Sequence, residues 1–150
     1  MKRFLADENA TAELARQIYA AMPDGFAGWT VLLNGELGAG KSTFARAFIK
    51  AAGHTGAVPS PSYTLVEPYS LSSGSIYHVD LYRVSDSEEL RYLGWNELDD
   101  GLRLVEWPDR APDLVEDADL SLWLKYDGES RRVEIEAISD RGATLIQKIN

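Results

Sequence analysis

Eight residues constrain this chain more than any others: Gly35-Glu36-Leu37-Gly38-Ala39-Gly40-Lys41-Ser42, a complete match to the pattern G-x-x-x-x-G-K-[ST]. The pattern restricts fold as well as chemistry, because such a glycine loop has to join the end of a buried strand to the start of a helix. In it, successive backbone N–H groups point inward at a β-phosphate, the lysine ammonium reaches the β- and γ-oxygens, and the final hydroxyl ligates Mg²⁺. Both flanks fit. Residues 29–34 form a short apolar run without proline, as a buried parallel strand requires. Residues 41–52 put Phe44, Ala45, Phe48 and Ile49 on one helical face, with Gly53 as a stop. The helix start adds partial positive charge where phosphates would sit.

Length and charge narrow the setting. At 150 residues the chain suits one domain spanning 1–150 and leaves no room for a second catalytic one. It has no cysteine, hence no disulfide framework or thiolate metal site, and no apolar segment of membrane-spanning length. The first residues lack the apolar core of a secretory signal, so a soluble, cytoplasmic protein is expected. The formal charge of −9 and the absence of a Lys/Arg run argue against a polyanion groove. Any role in nucleic-acid metabolism is therefore expected to run through a protein partner.

Periodicity and turn residues give the remaining elements. A strand is expected near residues 3–6 and a helix over 9–22, with Leu14, Ile18 and Met22 on one face. Residues 53–62 are too rich in Gly, Pro and Ser for helix or ladder. Strands over 65–71 and 75–81 flank Ser72-Ser73-Gly74, and a short helix opens at Asp86-Ser87-Glu88-Glu89 and ends before Gly94. A buried strand spans 102–107, and strands 120–126 and 131–137 flank Asp127-Gly128-Glu129-Ser130 as a closing hairpin.

A glycine loop of this kind works with an acid at the end of a neighbouring strand, which holds Mg²⁺ directly or through water. Two apolar runs end that way, one in Asp80 and one in Glu106. His78 shares the Asp80 side of its strand, and either a structural hydrogen bond or a site role fits it. Arg83 and Arg110 follow the two acids within four residues, within reach of a phosphate or of the acid itself.

Together these residues resemble the bacterial TsaE (YjeE) ATPases of tRNA threonylcarbamoyladenosine biosynthesis. The resemblance rests on four motifs in order: the glycine loop continued by Thr43-Phe44, then Pro59-Ser60-Pro61-Ser62-Tyr63-Thr64, then His78-Val79-Asp80-Leu81-Tyr82-Arg83, then Glu106-Trp107-Pro108. It implies an α/β fold of P-loop NTPase type, a three-layer α/β/α domain whose mostly parallel sheet carries an antiparallel extension. It implies ATP and Mg²⁺ as ligands, contacted by Glu36, Leu37, Gly38, Ala39, Gly40, Lys41, Ser42 and Thr43, with Thr11 toward the adenine and Arg110 at a phosphate or ribose. Lys41, Asp80 and Glu106 would be catalytic, Ser42 and Glu106 linked to the metal, and the Pro-Ser segment a switch sensing nucleotide state. The implied role is ATP hydrolysis supporting modification of adenosine 37 in ANN-decoding tRNAs. Partners similar to TsaD and TsaB are implied, and tRNA would be contacted through them. The chain departs from the family pattern at Glu36, where Asp is usual, and at Ser42, where Thr is common.

Two other readings stay open on the residues alone. A small-molecule kinase shares the loop but requires an acceptor pocket and an Arg-bearing lid, and no Arg-dense insertion follows Lys41. A nucleotide-sensing module would only control docking, with negligible turnover.

Overall fold

The computed structural model describes residues 1–61, 64–85 and 88–150. Two expected features fall outside them, Ser62-Tyr63 of the Pro-Ser segment and the Asp86-Ser87 start of the short helix. The strands are β1 (Lys2–Leu5), β2 (Thr30–Asn34), β3 (Val66–Leu71), β4 (Gly74–Asp80), β5 (Gly101–Glu106), β6 (Leu120–Asp127) and β7 (Ser130–Ala137). The helices are α1 (Glu8–Ala21), α2 (Lys41–Ala51), α3 (Glu89–Tyr92), α4 (Leu114–Asp117) and α5 (Asp140–Ile149). Two 3-10 segments, Trp95–Asp100 and Pro108–Arg110, bracket β5.

One seven-stranded sheet has the order β1-β7-β6-β2-β5-β4-β3. Its centre, β6-β2-β5-β4, is parallel, so the chain leaves each of these strands at the same edge. Hairpins extend both flanks: β3 pairs antiparallel with β4, and β7 pairs antiparallel with β6 and β1. The expected parallel core with antiparallel strands is therefore present, with antiparallel strands on both sides.

Each face of the sheet is covered for a legible reason. Along β2 all five residues are buried, as in a strand with layers on both faces. On one face α1 and α2 pack Leu14, Ile18, Phe44 and Phe48 against Val31, Leu33, Leu102 and Leu104. The Asp7 side chain caps α1 by accepting from the Ala10 N–H at 2.9 Å. On the other face Leu32, Val79 and Val105 meet Leu81, Val84, Leu90 and Ala111, with Trp95 and Leu98 partly covering them. That second layer consists of short pieces, which gives the three-layer α/β/α architecture of a P-loop NTPase-type fold.

Helix α5 lies beyond what periodicity identified. It is ten residues long, capped by Ser139 accepting from the Gly142 N–H, and buries Leu145 in the α1 and α2 layer. A glycine in its first turn weakens the local helix signal. The reason for that glycine is tertiary: a Cβ at Gly142 would collide with the Asp119 carbonyl.

Candidate functional site

The parallel strands deliver their C-terminal ends to one edge, where ligands of open α/β sheets bind. Strand β2 ends at Asn34 and leads into the glycine loop, while Asp80 and Glu106 are direct register partners at the ends of β4 and β5. A cavity of about 320 Å³ opens there. Leu37, Gly38, Ala39, Gly40, Lys41, Ser42 and Thr43 line it together with Thr11, Asp80 and Glu106. Glycine is required in this loop by both backbone and space. Gly38 has φ +81, and a Cβ there would lie 2.5 Å from the Tyr126 hydroxyl; one at Gly35 would lie 2.6 Å from the Leu124 carbonyl oxygen. The loop is thus pressed onto β6.

Helix α2 starts at Lys41 without any side-chain cap. Its first N–H groups are left for a ligand, which is the arrangement that binds phosphate. Lys41 is 4% exposed, and its ammonium donates to the carbonyls of Gly35 at 2.6 Å and Glu36 at 2.9 Å. Burial pushes its pKa below the ordinary lysine value, and the nearby carboxylates of Glu106, Asp80 and Asp109 oppose that shift without cancelling it. A poorly hydrated cation among carbonyls and carboxylates is suited to exchange those partners for phosphate oxygens.

Glu106 organises the acidic side. Its Oε1 accepts from the Ser42 hydroxyl at 3.3 Å, and its Oε2 lies 2.6 Å from His78 Nε2. A carboxylate acceptor requires the proton on Nε2, so the buried imidazole donates to Glu106. His78 Nδ1 has no hydrogen-bond partner among the described residues. Asp80 accepts from the Tyr82 N–H at 2.9 Å, an Asx turn that sets the carboxyl at the strand end. Ser42 and Glu106 present hard oxygen donors side by side. Among the described residues no cluster of three or more His, Asp or Glu side chains could hold a metal alone. That donor set fits Mg²⁺, which takes one or two protein groups and completes its shell from phosphates and water.

Other residues fall where the linear pattern did not place them. Glu36 lines a neighbouring concavity instead of this cavity. Arg110 is likewise outside the cavity lining, with its guanidinium 5.4 Å from the Tyr82 ring centroid. Asp7, Glu8, Ser60, Trp107, Glu129 and Arg131 do line it. Arg131 donates to the Gly38 carbonyl at 3.1 Å, so the β6–β7 turn closes on the glycine loop. Sequence reasoning placed Glu129 and Arg131 only in a terminal hairpin; no local signal links residues more than ninety positions downstream to the loop. Trp107 adopts φ +58, an uncommon backbone state for a bulky residue that re-aims the chain directly after Glu106.

Comparison with known proteins identifies the family and the fold. Residues 5–134 match the family model for threonylcarbamoyl adenosine biosynthesis protein TsaE. A tRNA threonylcarbamoyladenosine biosynthesis protein TsaE from Haemophilus influenzae is 40% identical over 118 residues, covering 77% of this chain and 75% of that protein. A protein of the same name from Synechocystis is 38% identical over 120 residues, with 76% and 74% covered. The crystal structure of Bacillus subtilis YdiB superposes with a TM-score of 0.80 at 26% identity, covering 99% of this chain and 93% of that one.

Proposed function

Because the chain belongs to the TsaE family of threonylcarbamoyl adenosine biosynthesis proteins, we propose that it is a Mg²⁺-dependent ATPase. Its turnover supports threonylcarbamoyl transfer to adenosine 37 of ANN-decoding tRNAs and depends on TsaD- and TsaB-like partners. The observation that carries the reading is the convergence of Lys41, Ser42, Asp80 and Glu106 at the uncapped start of α2. Phosphoryl transfer requires positioning and charge stabilisation more than covalent help from the protein, and these are the groups that provide both.

In this reading the loop N–H groups and the Lys41 ammonium hold the β- and γ-phosphates of ATP. They stabilise the charge that develops as water attacks the γ-phosphate in line. Ser42 and Glu106 would hold Mg²⁺, which would supply charge neutralisation at the phosphate oxygens. His78 keeps the Glu106 carboxylate aimed at Ser42. Asp80, its carboxyl set at the strand end by the Tyr82 N–H, orients the attacking water. Thr11, Glu8, Glu129 and Arg131 also line the cavity, and in this reading they meet the nucleoside.

The test is ATP turnover by the purified chain, alone and with TsaD- and TsaB-like proteins, together with the tRNA modification that the set produces. Slow turnover alone, acceleration by the partners and modification that depends on this chain are expected. Phosphate transferred to a small-molecule acceptor instead of water would establish the kinase reading. Negligible turnover with partners present would establish a sensing module.

A further inference from the structure

Beside the nucleotide cavity lies a second concavity, of about 560 Å³, whose character is aromatic and acidic. Trp107, Trp123 and Tyr126 supply its rings, and Glu36 and Asp109 its carboxylates. Among the described residues its one cation is Lys125, directed at Glu134 with 3.7 Å between charged atoms. Trp123 and Tyr126 are 43% and 47% exposed, which is high for rings that share one concave surface.

One of these rings also lines the nucleotide cavity, and a second contacts residues that line it. Trp107 lines both cavities, and the Lys41 ammonium lies 4.3 Å from its ring centroid. Tyr126 carries the Arg131 guanidinium 4.2 Å from its centroid and donates its hydroxyl to the Leu37 carbonyl. A group seated in the second concavity therefore rests on the same rings as two cations that line the nucleotide cavity.

We propose that this concavity receives a basic side chain, arginine or lysine, from a partner protein. The cation sits by the carboxylates of Glu36 and Asp109, and the apolar stem lies along the rings. Charge complementarity selects this occupant: aromatic faces and carboxylates both attract a cation, while an acidic segment or a phosphate backbone would be repelled by the same two carboxylates. Lys41 and Arg131 are positive charges on the nucleotide side of the shared wall. Phosphates that neutralise them reduce the repulsion on an incoming cation, so nucleotide and partner strengthen each other by reciprocal linkage. The inference rests on the partner dependence proposed above and adds where the partner engages and with what chemistry.

The probes are the peptides acetyl-Gly-Arg-Gly-amide and its uncharged citrulline counterpart, titrated into the full chain while the Trp107 and Trp123 indole resonances are followed by NMR. Saturable shifts with the arginine peptide are expected, tighter by about fivefold or more when a non-hydrolysable ATP analogue is bound. Asp109→Asn should weaken that binding by a similar factor. An equal response to the citrulline peptide, or unchanged affinity in Asp109→Asn, overturns the assignment in favour of plain apolar docking. In turnover assays Trp123→Ala, at an exposed strand position, should retain the basal rate and lose partner stimulation. Stimulation that survives Trp123→Ala overturns the partner role of this surface. If wild-type turnover gains nothing from partners while the arginine peptide still binds, the functional reading fails and the cation pocket stands.

Discussion

At the scale of single residues, the site depends on a few buried polar groups that hold one another. Lys41 is the most exposed to test, because its ammonium is the only lysine charge lining the nucleotide cavity among the described residues. Lys41→Ala should lower ATP turnover roughly 100-fold or more, the scale seen when one charge-stabilising donor is removed; a rate within twofold of wild type would remove Lys41 from the mechanism. His78 tests the organisation of Glu106. His78→Ala leaves a buried carboxylate without its 2.6 Å donor, a loss of about 1–3 kcal/mol, whereas His78→Gln retains an N–H donor. Thermal melts should therefore rank wild type above His78→Gln and His78→Gln above His78→Ala, with turnover following the same order. Equal behaviour of the two variants would show that the imidazole only fills space.

At the scale of elements, the less visible contacts are those that seat α5 and the β6–β7 hairpin. Asp119, which directly precedes β6, is 3% exposed and accepts from the Thr30 N–H, the Ser139 hydroxyl and the Arg141 guanidinium at 2.7–2.9 Å. Burial alone would raise its pKa, but those hydrogen bonds and the Arg141 charge outweigh burial and hold it below the ordinary 3.8. A depressed carboxylate contributes stability that is present above its unfolded value and lost as pH falls through the folded one. The melting temperature of the wild type should thus drop as pH is taken below about 4, more steeply than that of Asp119→Asn. Parallel pH profiles for the two proteins would contradict the shift. Gly142→Ala, placing a methyl against the Asp119 carbonyl, should destabilise by about 1–3 kcal/mol despite the better helix propensity of alanine. An unchanged or raised melting temperature would show that α5 can shift to absorb it.

At the scale of the whole molecule, a formal charge of −9 sets what the surface does unaided. With that charge and no Lys/Arg run in the sequence, counterion release gives little drive to binding, so the isolated chain should not retain tRNA at about 150 mM salt in a filter-binding assay. Micromolar retention by the chain alone would reassign RNA contact from the partners to this protein. No helix among the described residues is long and apolar enough to cross a membrane. What could be read from the chain alone was whatever local chemistry dictates: the glycine loop from Gly35 to Ser42, the strand-end positions of Asp80 and Glu106, the α1 and α2 faces, and the hairpin turns. Each depends on residues within a few positions of one another, where backbone sterics and burial periodicity leave one reading. Tertiary structure alone decided that His78 donates to Glu106, that Arg131 folds over Gly38, that Glu36 lines a different concavity from its loop neighbours, and that a glycine-bearing segment becomes α5. Those outcomes join residues 28 to 93 positions apart or weigh a weak local propensity against packing, and the resulting contacts exist only once the sheet order is set.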